Sequence, residues 1–309
     1  NIISGTLITS FSEALAENPD AAGVILTRPT YYGVCCDIEA ISKIVHEQDK
    51  VLIVDEAHGA HLAFGGELYP QSAVEYADAC VQSAHKTLAA LNQGSFIHLK
   101  GTRISKRLVR KMLSIVQTSS PSYLIMASLD YSRSLMETQG FQMLEELHGL
   151  VNDFIKYLDS LGTGFRVLSK GDLNAEFELC TDRLVINVSG ANLTGYEVER
   201  QLRNHCSIQV EMSDLSNVVL LCTIFNKKSD FEKLLEGLKL IWDGSFNQQQ
   251  VQSSVQSKVF KDFSNQYRKS RKRLKGEGLF FKEVEDVPLN LCVGRYAGEA
   301  VTPYPPGIP

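Results

Sequence analysis

The stretch Val51-Leu52-Ile53-Val54-Asp55-Glu56-Ala57-His58 restricts the fold more than any other. An apolar run, mostly β-branched, ends abruptly in a carboxylate and an imidazole. Such a run reads as a strand buried in a parallel sheet. In open α/β sheets ligands sit at the carboxyl ends of these strands. A second apolar stretch, Ala77 to Val81, leads into Ser83-Ala84-His85-Lys86, which packs a hydroxyl, an imidazole and an amine together. Two neighbouring strand ends would then present Asp55, His58, Ser83, His85 and Lys86 to one cavity.

The surrounding pattern supports an α/β reading. Residues 11–18 carry helical spacing closed by Asn18-Pro19, and Ala22 to Leu26 is a strand halted by the loop chemistry of Arg28-Pro29-Thr30-Tyr31-Tyr32-Gly33. Asp37 is placed to cap a helix whose Ile38, Ile41, Ile44 and Val45 share a face. Strand, helix and strand in succession form a βαβ unit, so a mainly parallel sheet with a right-handed crossover is expected. Residues 95–99 make a further strand, and helical spacing follows from 103 to about 160, broken at Ser119-Ser120-Pro121-Ser122. Strands at 165–168, 183–188, 207–212 and 217–224, with helices at 195–205 and 229–242, form another α/β unit. Its strands alternate, as in a sheet with one exposed face.

We therefore expect a partial large domain over 1–160 and a smaller α/β domain over 161–245. A polar linker at 246–275 and a C-terminal segment at 276–309 follow. The basic run 268–275 reads as a solvated helix face rather than a phosphate contact.

The 309 residues suffice for two domains with full cores, and a net charge of -5 argues against a nucleic-acid partner. The 7 cysteines are odd in number and form no Cys-x-x-Cys pair, which fits a reducing, cytoplasmic compartment without a disulfide framework or zinc site. No apolar run approaches the ~20 residues of a membrane span. The chain opens at Asn1 without methionine or a targeting segment and closes on the Pro-rich Tyr304 to Pro309, so we expect a fragment of a longer protein.

A lysine beside histidine and near serine suits Schiff-base chemistry with an aldehyde cofactor. Pyridoxal phosphate needs donors for its phosphate, which Ser83 and His85 offer. Its pyridine nitrogen needs a carboxylate, which Asp55 offers, and its ring needs a flanking group such as His58. Each residue alone is ordinary, a surface lysine or a satisfied histidine; together at two strand ends they are not. Asp55-Glu56-Ala57-His58 also matches the second motif of DEAH-type helicases, but no Gly-Lys phosphate loop and no Arg-rich late motif accompany it. Asp55, His58 and His61 are a metal alternative, weakened by the lack of a fourth ligand at any diagnostic spacing. Cysteine–histidine nucleophilic catalysis has no local pattern behind it.

Val54-Asp55-Glu56-Ala57-His58-Gly59-Ala60-His61 and Ser83-Ala84-His85-Lys86-Thr87-Leu88-Ala89-Ala90-Leu91-Asn92-Gln93 resemble the core motifs of the Orn/Lys/Arg decarboxylases. Thr118 to Tyr123 and Pro303 to Pro309 resemble later motifs of that family, so the likeness runs from about residue 22 to the end. It implies the aspartate-aminotransferase fold, fold type I, with pyridoxal phosphate held by Lys86. Ser83 and His85 would contact its phosphate, Asp55 would pair with its ring nitrogen, and His58 would lie beside the ring.

The implied reaction is α-decarboxylation of a basic amino acid, with Lys86 or His58 returning a proton to Cα. Arginine is favoured over lysine or ornithine, because the compact form is similar to the smaller arginine-type members; the product would feed polyamine biosynthesis. Glu299 is the candidate for the substrate's distal cation. A homodimer or higher homo-oligomer is implied, with residues 118–123 serving the neighbour's site. Two alternatives stay open. One is an aminotransferase, whose small-domain arginine would be Arg183 or Arg200; the other is a non-catalytic subunit or scaffold.

Overall fold

The computed structural model describes residues 8–244. The expectations for Glu299, the run 268–275, the linker at 246–275 and the segment at 276–309 lie outside the described residues. In chain order the elements are α1 (Ile8–Glu17), β1 (Gly23–Thr27), β2 (Val34–Cys36), α2 (Ile38–Glu47), β3 (Val51–Asp55), β4 (Ala79–Gln82), α3 (Ala84–Thr87) and β5 (Phe96–Leu99). There follow α4 (Lys106–Val116), α5 (Tyr123–Ser160), β6 (Arg166–Val167), β7 (Phe177–Leu179), β8 (Arg183–Asn187), α6 (Gly195–Cys206), β9 (Met212–Ser213), β10 (Asn217–Leu221) and α7 (Lys228–Trp242).

The first sheet has the order β1-β3-β4-β5, parallel except for the antiparallel β5 at its edge. Register sets Thr27 beside Asp55 and Asp55 beside Val81. One face carries Leu26, Leu52, Val54 and Cys80 into a core shared with Phe11 and Leu15 of α1 and Ile38, Ile41 and Val45 of α2. Asp37 caps α2 as its position foretold, accepting from the Ala40 N–H at 2.9 Å. The other face carries Ile25, Ile53, Asp55, Val81 and Ile97, of which Ile25 is 77% exposed. The run 51–55 reads in sequence as a strand buried on both faces, but only Leu52 and Val54 are fully buried. Side chains alternate across a strand, so one covered face buries every second residue.

A second sheet, β6-β8-β10-β9, is antiparallel throughout and lies against α6 and α7. The strand expected over 207–212 shrinks to Met212–Ser213. Ser207 adopts a left-handed conformation (φ 51) that ends α6, and its N–H donates to Leu202 O, so the chain turns before it can pair. The 38-residue α5 ties the two sheets together. Its buried positions Met136 and Leu144 pack below the first sheet's loops, and Val151, Phe154 and Leu158 join the core of the second. Ser132, Gly140 and Leu147 complete the buried set, and its spacings of three and four residues keep it on one stripe.

A short antiparallel pair, β2 with β7, has no forewarning in the pattern. It brings the loop after β1 against the segment before β8. The Cys180 N–H donates to Gly33 O at 2.8 Å. Gly33 is at φ +82, and an added Cβ would meet Arg183 Cβ at 2.7 Å and Cys180 O at 2.8 Å. Only glycine fits there.

Candidate active site

The site grows from the ends of β3 and β4. Because Asp55 pairs with Val81 in parallel register, the two share a sheet face. The exposed Asp55 turns its Oδ1 back to accept the Ala57 N–H at 3.0 Å, which fixes the carboxylate at the strand tip. Two residues past Val81, Ser83 leaves the strand in an extended conformation and opens α3. Its hydroxyl makes no capping bond to that turn. One helical turn then carries His85 and Lys86.

Lys86 Nζ lies 3.2 Å from Nε2 of His58. The other ring nitrogen of His58, Nδ1, is bonded to Nη2 of Arg183. Burial, then the neighbouring Arg183 and Lys86, push the His58 imidazole down to about 3, so the ring is neutral at physiological pH. His85 is turned differently. Its Nδ1 meets Gly94 O at 2.8 Å and therefore carries the proton, which leaves Nε2 as a lone pair in the neutral ring. Toward a phosphate that ring is a donor only as the imidazolium.

Arg183 begins β8 and is 2% exposed. Its guanidinium sits 5.1 Å from the ring centroid of Tyr31 and 4.0 Å from Glu211, whose Oε1 accepts the Tyr31 hydroxyl at 2.5 Å. Its Nε and Nη1 find no hydrogen-bond partner among the described residues. A buried guanidinium with two nitrogens lacking hydrogen-bond partners has donor capacity left for an anion. Of the two arginines singled out in the sequence, Arg183 reaches the site; Arg200 is exposed on α6.

His61 departs from the grouping weighed in sequence. It does not converge with His58 and Asp55 but lies with Cys180 and Asp182, their ligand atoms all within 4.8 Å of one another. His61 Nε2 is 3.0 Å from Asp182, and the Cys180 thiol donates to that carboxylate at 2.6 Å. Burial raises the Asp182 carboxyl, but His61 and its hydrogen bonds outweigh this and hold it below the usual range. Burial keeps Cys180 a thiol. The cluster reads as a buried polar core, in which His61 Nδ1 finds no hydrogen-bond partner among the described residues.

The residues present fit a pyridoxal phosphate. There is an amine in the helical turn that follows β4, an exposed carboxylate at the tip of the neighbouring β3, a serine hydroxyl that makes no capping bond, and a neutral imidazole in contact with the amine. Sequence reasoning missed Tyr31, Glu211, Cys180 and Asp182, and named Arg183 only for another reaction. The close backbone approach at Gly33 was the available signal for the loop that assembles them.

An α/β unit with a mainly parallel sheet and a lysine at a strand end defines the class: fold type I of the pyridoxal-phosphate enzymes. Lysine decarboxylase A from Pseudomonas aeruginosa superposes with a TM-score of 0.65 at 20% identity, covering 77% of this chain and 40% of that one. The sequence model "Orn/Lys/Arg decarboxylase, major domain" matches residues 6–177, and the chain belongs to that family. It is 34% identical to an arginine decarboxylase of Bacillus subtilis over 313 residues, and 31% identical to an arginine decarboxylase of Bacillus cereus over 315. Each comparison takes in 100% of this chain but only 62% and 66% of the relative, so the chain spans under two thirds of their length.

Proposed function

We propose that the protein is a pyridoxal-phosphate-dependent decarboxylase of a basic amino acid, with arginine the favoured substrate. The observation that carries the reading is the Lys86–His58 contact at the same pair of strand ends that displays Asp55. Relatives named arginine decarboxylase support the choice of arginine. The division of the chain at 160/161, the end of α5, and a homodimeric or larger assembly belong to the same proposal. Leu108, Met112, Ile115 and Val116 of α4, 47–78% exposed, offer an apolar face for assembly.

Lys86 would hold the cofactor covalently, Ser83 and His85 would hold its phosphate, and Asp55 its ring nitrogen. Bound there, the cofactor supplies the electron sink for the bond between Cα and the departing carboxylate. Asp55 keeps a negative charge where the ring nitrogen must stay protonated, an electrostatic contribution prepared before reaction. His58, neutral and half-buried, excludes water from one side of Lys86 and keeps the amine oriented. Lys86, or His58 in contact with it, would return a proton to Cα.

The test is direct. Added pyridoxal phosphate should give a visible absorption band lost in Lys86→Ala, and arginine should release CO₂ faster than lysine. Absence of the band in the wild type would sink the proposal. The position of Arg183 also supports a second reading, an aminotransferase that grips the substrate carboxylate. Formation of a keto acid in place of CO₂ would select it.

A further inference from the structure

We propose that Arg183 is a positioning residue that fixes the tautomer of His58 and so presents an N–H donor to the amine of Lys86. The inference deepens the reading of Lys86 given above, and rests on it only for the purpose of that amine. A guanidinium has donors and no acceptor. The contact between Arg183 Nη2 and His58 Nδ1 therefore runs one way: arginine donates, and Nδ1 carries no proton. The ring is neutral, so its single proton is on Nε2, the atom 3.2 Å from Lys86 Nζ. An ammonium also has donors only. The Nε2–H···Nζ contact is thus a hydrogen bond only to the amine form of lysine, which has the lone pair that adds to a carbonyl carbon.

The surroundings hold Arg183 in that role. Tyr31 lies under the guanidinium at 5.1 Å, and Glu211 stands 4.0 Å away. The preceding residue, Asp182, is pinned by His61 at 3.0 Å. Gly33 lets the 180–183 turn approach closely enough for the arginine to reach across. The groups facing His58 are the edge of Tyr31 at 5.2 Å, Arg183 and Lys86, with Asp182 and His61 behind them. Neither Asp182 nor His61 competes for Nδ1, because each already bonds the other.

The test uses the full 309-residue chain without added cofactor. Nitrogen-15 NMR of histidine-labelled protein at neutral pH should show His58 with Nδ1 unprotonated and Nε2 protonated, and mixed tautomers in Arg183→Met. Reductive methylation with formaldehyde, read by peptide mass spectrometry, should label Lys86 roughly three- to tenfold more slowly in Arg183→Met, the worth of one net hydrogen bond. Lys100, 56% exposed, serves as the internal control for folding. His58→Gln should keep labelling near the wild-type rate, since its amide oxygen accepts from Arg183 while its amide nitrogen donates to Lys86; His58→Leu should not. A wild-type His58 protonated on Nδ1, or equal Lys86 labelling in Arg183→Met and wild type, overturns the proposal. Neither readout involves pyridoxal phosphate, so failure of the cofactor reading shows itself separately, in the absorption experiment.

Discussion

Arg28 and Glu56 form an ion pair at 3.5 Å with side chains 1% and 0% exposed, directly behind the strand tip that carries Asp55. Glu56 also accepts from the Ser72 hydroxyl at 2.7 Å, the Ala73 N–H at 2.7 Å and the Gln82 amide at 2.6 Å. Arg28 donates to Cys36 O at 2.9 Å and to Gln71 O at 2.6 Å. The pair thus ties β2 and the 71–73 loop to the end of β3. Burial pushes the Glu56 carboxyl up, and its donors and Arg28 pull it back.

Removing one member of such a pair leaves the other charged, buried and uncompensated. Arg28→Met should lower the unfolding free energy by about 3–5 kcal/mol. Glu56→Gln, which keeps a side chain able to accept from Ser72, should cost less. Urea titration of both variants checks this; a loss under about 1 kcal/mol for Arg28→Met would mean the pair is screened by water.

His58 makes stability depend on pH in a definite direction. Its folded value of about 3 lies below the ordinary imidazole value of 6.5, so the unfolded chain binds more protons between the two. The contribution is fully present above 6.5 and is lost as pH falls toward 3. Partial exposure of the ring cuts the loss to on the order of 2 kcal/mol. Urea midpoints measured from pH 7 to pH 4 should fall more steeply in the wild type than in His58→Gln. Parallel slopes would show that His58 does not carry the effect.

Gly33 is where local backbone and site geometry meet. Gly33→Ala would force a left-handed conformation and drive a methyl group against Arg183 Cβ and the Cys180 carbonyl. We expect a loss of about 1–3 kcal/mol in stability. The same change should displace Arg183 from His58, so the histidine NMR signature described above should alter as well. A variant as stable as wild type with that signature intact would contradict the close approach.

How far the sequence could be read depended on whether the deciding contacts were local. β3, β4 and α2 were legible because hydrophobic period, the Asp37 cap and strand length all speak within ten residues. The position of Asp55, Ser83, His85 and Lys86 at or just past the ends of those strands was legible for the same reason. Arg183 was not, since it reaches the site through the β2–β7 pair, two three-residue strands more than a hundred residues apart whose pairing follows no periodic signal. His61 was misgrouped for a related reason. The i, i+3 spacing from His58 suggests one helix face, but the chain there is an irregular turn followed by a single 3-10 turn starting at Leu62. The two rings diverge, one to Lys86 and one to Asp182.

Asp55 provides the sharpest separation of binding from chemistry. One of its oxygens is engaged with the Ala57 N–H at 3.0 Å, and the side chain is otherwise exposed at the strand tip. Asparagine keeps the acceptor for Ala57 and the shape of the side chain but loses the charge that would hold a proton on a ring nitrogen. Asp55→Asn should therefore fold as well as wild type and still give the absorption band that depends on Lys86. Its kcat for CO₂ release should nonetheless fall by about a hundredfold or more, the cost of removing one prepared electrostatic group. Since the charge acts on the transition state more than on the bound substrate, kcat should drop while KM moves little. A proportional rise in KM at constant kcat would instead assign Asp55 to substrate binding, and the ring nitrogen would need another partner.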